Sequence, residues 1–237
     1  MAVVVVHVIT VGHTPLQATD LSVVIQYIQV CSASRSLCFT LSVEMPKQIE
    51  NHDEVRARIL DTACKLFYER GVRAVGVDLV VEKAGVAKTS LYRHFGTKDD
   101  LIAAYLKRED EEFWGLWNHL AAEHADDPTG ELDAYLAWVG ERLGRPNYRG
   151  CPQINVAAEF PEAGHPARIE AAEHKRRMRE RLRSIAERLG VARPVELADQ
   201  LSLLINGAFV SAQMLEPGEA TALLLRTAHG LIDASHT

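Results

Sequence analysis

GVAKTSLYRHFGTKDDL, residues Gly85–Leu101, crowds two lysines, an arginine, a histidine and a tyrosine around a segment long enough for one two-turn helix and the start of another. Leu91 and Phe95 stand four apart, so they share one helix face and can hold the segment against neighbouring helices. Lys88, Thr89, Tyr92, Arg93 and His94 are left for the outer face. Gly85 supplies the left-handed conformation of a tight turn before this helix. Thr97-Lys98-Asp99-Asp100 then forms a [ST]-x-x-[DE] capping box that opens the next helix through Leu101, Ile102, Tyr105 and Leu106. A short, braced helix that offers long donors outward has the size and chemistry to enter the major groove of DNA.

Upstream, Val55, Ile59, Leu60, Ala63, Leu66 and Phe67 recur at helical spacing, which predicts a helix opened by Asp53 and stopped at Gly71. A second, about Val77 to Ala84, turns Val77, Val80 and Val81 inward. Charge singles out the same region. The chain carries -6 overall, yet residues 47–107 hold 11 basic against 9 acidic side chains and are net positive, while the flanking segments are net negative. A polyanion is expected to dock on that middle segment alone.

The stretch Ile59–Leu106, ILDTACKLFYERGVRAVGVDLVVEKAGVAKTSLYRHFGTKDDLIAAYL, resembles the N-terminal DNA-binding domain of the tetracycline-repressor (TetR) family. The AGV turn, the LYRHF core and the following lysine occur together, in order and at the family's spacing. The resemblance implies that Lys88, Thr89 and Ser90 approach base edges from the front of a recognition helix, and that Tyr92, His94 and Lys98 grip phosphates. It leaves Arg93 to reach either a guanine or the backbone. Two departures stand out. Ala87 replaces the family's usual serine cap of the recognition helix, removing a contribution of roughly 1 kcal/mol. Gly76 replaces a hydroxyl residue before the second helix, and Asp78 beside it suits the helix dipole but repels phosphate.

The remainder is also read as helical. ELDAYLAWVGERL ends at Gly144 and Pro146. RGCPQINVAAEFPEAGHP holds a short helix between turns. A long helix covers about Ala167 to Leu189, and two more cover about Val195 to Leu215 and Gly218 to Ala234. The basic run HKRRMRERLR, His174–Arg183, is interleaved with Glu170, Glu173, Glu180 and Glu187, which predicts a solvated face with pairs such as Glu173 with Arg177. Leu203-Leu204-Ile205 and Leu223-Leu224-Leu225 are consecutive apolar triplets that cannot all face one core, so a partner is expected to cover the excess. By the resemblance this is a homodimer seam, with Leu204, Ala208, Leu224 and Ala228 as its candidate contacts, and the dimer reads a palindromic double-stranded operator.

Between these regions lie Phe113, Trp114, Trp117, Tyr135, Trp138, Phe160, Met178 and Phe209. The resemblance implies a small-molecule effector site among them, for which Trp114, Trp117, Trp138, Gln153, Asn155, Glu159 and Met178 are the candidates.

The sequence thus predicts an all-α protein with three parts. Residues 1–46 are expected to be a disordered or non-native N-terminal extension, with Met45 as a candidate functional start. Residues 47–107 form a three-helix helix-turn-helix DNA-binding domain, and residues 108–237 a helical effector-binding and dimerisation domain. The expected function is a cytoplasmic, ligand-released transcriptional repressor without cofactor, metal or membrane partner. Val3–Val11 and Leu21–Val30 are too short and too interrupted to span a bilayer. Cys31, Cys38, Cys64 and Cys151 match neither a CxxC zinc site nor a dense disulfide framework. No GxSxG, HExxH, P-loop or dinucleotide fingerprint marks an enzyme. Two alternatives remain at this level: a redox regulator acting through Cys151, or a helical binding protein or enzyme that keeps a vestigial DNA-binding fold.

Overall fold

The computed structural model describes residues 51–216 and 218–236; the expectation for the N-terminal extension lies outside them. Nine α-helices run through these residues, with no strand among them. They are α1 (His52–Arg70), α2 (Val77–Ala84), α3 (Lys88–Phe95), α4 (Lys98–Glu123), α5 (Pro128–Leu143), α6 (Pro152–Glu159), α7 (Pro166–Arg188), α8 (Pro194–Ser211) and α9 (Glu219–Ala234). A 3-10 turn, Ala212–Met214, follows α8.

Local chemistry sets the ends. Helix α1 starts one residue before the expected Asp53, because Asn51 caps it by accepting from the Asp53 N–H at 3.4 Å. Helix α4 opens on the expected capping box: Thr97 Oγ1 accepts from the Asp100 N–H at 3.1 Å, and Asp100 Oδ2 accepts from the Thr97 N–H at 2.9 Å. Helices α5 to α8 each begin with proline, whose fixed φ suits a first turn and whose missing N–H costs nothing there.

The side chains fill two cores. One joins α1, α2, α3 and the start of α4, with Ile59, Ala63, Phe67, Leu91, Leu101 and Tyr105 at its centre. The other joins the rest, around Trp117, Tyr135, Met178, Leu182, Leu201 and Ile205. Helix α4 belongs to both, giving Leu106 to the first and Trp114 to the second. The expected boundary at residues 107 and 108 therefore falls inside a continuous helix. Val156 and Ala167 also reach from the larger bundle into the first core.

The basic run of α7 departs from its expectation. Arg176 does pair within the helix, with Glu173 and Glu180. Arg177, however, leaves Glu173 for Asp110 of α4, with a 2.7 Å contact, and lies over the Trp114 ring. Arg181 and Arg188 converge on Glu131 of α5, at 3.0 and 2.5 Å, and Glu131 is fully buried. Arg179 reaches Asp199 of α8. A segment that reads as a solvated face thus holds α7 to three neighbouring helices.

The apolar triplets divide as expected, but not at the residues named for the seam. Leu224 and Ala228 point into the subunit's own core, and Leu204 and Ala208 are half-buried against it. What faces outward is Leu203 (75% exposed), Val210 (50%) and Met214 (79%) on α8 and its turn, with Leu223 on α9. A one-residue step along a helix rotates a side chain by about 100°, enough to exchange Leu224 for Leu223 as the outward member. Among the described residues no helix is long and apolar enough to cross a membrane.

Candidate functional site

Helices α2 and α3 form a tight angle because Gly85 adopts φ 65°, and the N–H groups of Gly85 and Val86 both return to the end of α2. Helix α3 has no side-chain cap at Ala87. It is held from behind instead, by Leu91 and Phe95 in the first core and by the Arg56 guanidinium 5.0 Å from the Phe95 ring centre. That bracing orients Lys88, Thr89, Tyr92 and Arg93, all exposed, along one side.

The remaining expected contacts sit deeper. Ser90 and Lys98 are half-buried. Burial holds the Lys98 ammonium below its usual pKa, against the opposing pull of Asp99 and Glu159. His94 turns toward α1: its ring centre is 4.1 Å from that of His52, and its Nδ1 is buried without a hydrogen-bond partner. Burial first, then the neighbouring His52, lowers its pKa. Lys88 is already engaged, because Asp78 of α2 lies 2.8 Å from its Nζ and raises its pKa by hydrogen bond and charge. Asp78, read from sequence as a local repulsion of phosphate, is thus also a competitor for the foremost basic side chain.

Behind this head, α4, α5, α6, α7 and α8 border a small, partly open cavity of about 20 Å³, room for about one water. Phe113, Trp138 and Phe209 supply its aromatic walls, and Glu109, Arg142, Gln153 and His174 its polar ones. Of the seven sequence-stated effector candidates, Trp138 and Gln153 are on this lining. Trp114, Trp117 and Met178 are packed in the core, Trp117 stacked 3.8 Å from Tyr135 and Met178 accepting from the Tyr135 hydroxyl. Asn155 holds the loop before α6 through Arg149 O.

Glu159 stands farther off still, with a different task. Its carboxylate accepts from the backbone N–H groups of Val72 at 3.1 Å and Arg73 at 2.7 Å, and the Arg73 guanidinium donates back to Glu159 O. The end of α6 is thereby latched to the loop between α1 and α2. Gly71 makes the latch possible: its φ is 86°, and a Cβ there would meet Glu159 Oε1 at 2.9 Å.

Three polar residues of the cavity escaped the sequence reading. Glu109 and Arg142 lie in charged stretches that look solvated. His174 was legible in principle, since Ala167, Ala171, His174, Met178, Leu182 and Ile185 fall on one buried stripe of α7. Cys151, the candidate redox thiol, is buried at the cavity wall, and burial raises the Cys64 thiol to about 12. Neither environment matches that of an exposed, activated cysteine.

The arrangement is that of an all-helical protein carrying a helix-turn-helix head on a larger bundle with an internal cavity. Residues 59–105 match the family described as bacterial regulatory proteins, tetR family. A solved chain from Streptomyces avermitilis, described as a TetR transcriptional regulator, is 34% identical, with a TM-score of 0.66 over 76% of this chain and 97% of that one. A TetR-family transcriptional regulator from Streptomyces coelicolor is 28% identical, with a TM-score of 0.74 over 78% and 97%. The chain belongs to the TetR family. Among curated relatives, the transcriptional activator FasR of Mycolicibacterium smegmatis is 43% identical over 56 residues, 24% of this chain and 26% of FasR. The repressor Rv3405c of Mycobacterium tuberculosis is 30% identical over 115 residues, 48% of this chain and 58% of it. The chain therefore spans from about a quarter to somewhat over half of these relatives' lengths.

Proposed function

We propose that the protein is a homodimeric, DNA-binding transcriptional repressor, released from a palindromic operator by a small-molecule effector bound within the helical bundle. The observation that carries this reading is the braced α3 with Lys88, Thr89, Tyr92 and Arg93 exposed on a domain that is net positive in an acidic chain. Ser90, Lys98 and His94 border that surface; Lys98 and Tyr92 serve as phosphate contacts and Lys88 as a base contact once it leaves Asp78. The outward apolar side chains of α8 and α9 support a two-fold partner, which would place two recognition helices on half-sites about a DNA turn or a multiple apart. Such a regulator works in the cytoplasm, where bacterial DNA lies.

The cavity and the head communicate through α4, which spans both cores, and through the Glu159 latch at the end of α6. An effector acts only through its different affinities for the operator-bound and released states.

A mobility-shift assay on the gene's own upstream region tests the interface. Tyr92→Ala combined with Lys98→Ala should weaken retardation across all sequences and flatten its salt dependence, each lost phosphate contact reducing the log–log slope by about 0.9. Lys88→Ala should mainly blur the preference for the operator over unrelated DNA. Unchanged binding in both variants would refute the assignment.

A further inference from the structure

A roomier cleft opens where α1 meets α4, α5 and the loop after α5. Its volume is about 190 Å³, and its lining is Tyr68, Glu109, Arg142, Arg145, Asn147 and Tyr148. One water needs roughly 10–15 Å³ of such space, so the cleft has room for a small organic molecule. Its frame is fixed. The Tyr68 hydroxyl of α1 donates to Gly150 O at 3.3 Å and accepts from the Arg149 N–H at 2.9 Å, and the Tyr148 hydroxyl donates to Phe209 O of α8 at 2.8 Å. Both phenol protons are spent on holding the loop, so neither tyrosine has a donor left for a ligand.

The donors that remain are mostly cationic. Arg142 lies over the Trp138 ring, 5.6 Å from its centre, and its side chain is 21% exposed. It meets Glu109 at 3.5 Å, the outer limit of a hydrogen bond, so most of its five N–H groups lack an acceptor among the described residues. The exposed side chains of Arg145 and Asn147 have no partner among the described residues. Two guanidiniums thus share one carboxylate, which leaves one positive charge and a surplus of donors. Burial raises the Glu109 pKa, with Arg142 opposing the shift, so the one acidic group present is itself poorly solvated.

An anion corrects that imbalance. A guanidinium fork matches a planar carboxylate with two parallel hydrogen bonds. One negative charge neutralises the cleft, whereas a dianion would leave an excess beside Glu109 and a cation would meet two arginines. From the uncompensated arginines and the size of the cleft, we infer that it binds a small organic monocarboxylate. Its carboxylate is held by Arg145 and Arg142, with the Asn147 amide as a further donor. This site goes beyond the effector reading, because it stands whether or not a small molecule releases the protein from DNA.

The test is isothermal titration of the purified full chain in Tris buffer at pH 7.5 and constant ionic strength, with four probes of similar size: benzoate, benzamide, phenyl phosphate and benzylammonium. Benzoate should bind about tenfold or more tightly than benzamide, its neutral counterpart, since charge-assisted pairing is lost with the charge. Phenyl phosphate, a dianion at this pH, and benzylammonium should both bind more weakly than benzoate. Arg145→Gln changes an exposed side chain and should lower benzoate affinity about fivefold, near the upper end of what one exposed charge pair contributes, while leaving benzamide unaffected. Lys88→Ala, on the recognition helix, should leave benzoate binding as it is. Absence of benzoate binding at millimolar concentration, equal binding of benzamide, or tightest binding of phenyl phosphate or benzylammonium overturns the inference without any variant. Benzoate affinity that is unchanged in Arg145→Gln, or that falls as far in Lys88→Ala, also overturns it, since the anion would then sit elsewhere on the chain.

Discussion

His174 shows how one side chain couples burial to pH. In the unfolded chain an imidazole titrates near 6.5, whereas in the fold burial lowers it to about 4, only partly countered by Asp110. Between these values the unfolded state binds the extra proton and the native state does not, so stability is fully present above about pH 6.5 and falls as pH drops toward 4. The loss reaches up to about 3 kcal/mol over that window. Urea unfolding of the wild type at pH 7.0 and 4.5 should show the decline, and His174→Gln should flatten it. An equally steep decline in the variant would mean that other groups govern the acid limb. The same residue marks a limit of legibility. Its neighbours Lys175, Arg176 and Arg177 make the segment look solvated, yet its register with Ala171 and Met178 assigns it to the core.

At the scale of the element, α6 is short but is fixed at both ends by different parts of the molecule. Near its start Gln153 donates to α4, and at its end Glu159 accepts from the loop after α1. Glu159→Gln keeps the size but removes the charge and turns one accepting oxygen into an NH2 donor, so one of the two backbone hydrogen bonds is lost and the other weakened. The expected result is a head less firmly coupled to the bundle: operator binding retained within a few fold, and effector-induced release weakened. Fluorescence anisotropy of labelled operator, titrated with effector, would check it; full release at unchanged effector concentration would show that the latch transmits nothing.

Sequence periodicity placed α1 to α4 closely, because amphipathic stripes and the Thr97 capping box are local signals. The exposed members of the recognition face, Tyr92 and Arg93, were equally readable, since Leu91 and Phe95 define the opposite side. The Glu159 latch was not, because its partners are backbone groups 86 and 87 positions away. Nor was the inward turn of Trp114 and Trp117: the spacing of an aromatic residue does not distinguish a filled core from a cavity wall.

Across the whole molecule, the outward apolar surface of α8 and α9 is the feature a lone subunit handles worst. Leu203, Val210, Met214 and Leu223 are large, and Gly207 and Gly230 on the same helices have open space where a side chain would project, which suits close helix approach. Leu203→Glu together with Met214→Glu should convert a dimer into monomers by sedimentation, with helicity unchanged and operator affinity reduced at least a hundredfold through loss of the second half-site. A wild type that sediments as a monomer would overturn this prediction.

The unbroken run of α4 through both cores has a bearing on engineering. Grafting a relative's reading head onto this sensor requires a splice within a helix, so the joint must preserve phase as well as sequence. Adding or deleting a single residue there would swing Trp114 and Trp117 by about 100° around the axis, away from the places their rings now fill. Interchangeable heads for this scaffold must therefore match it residue for residue between Leu106 and Trp114.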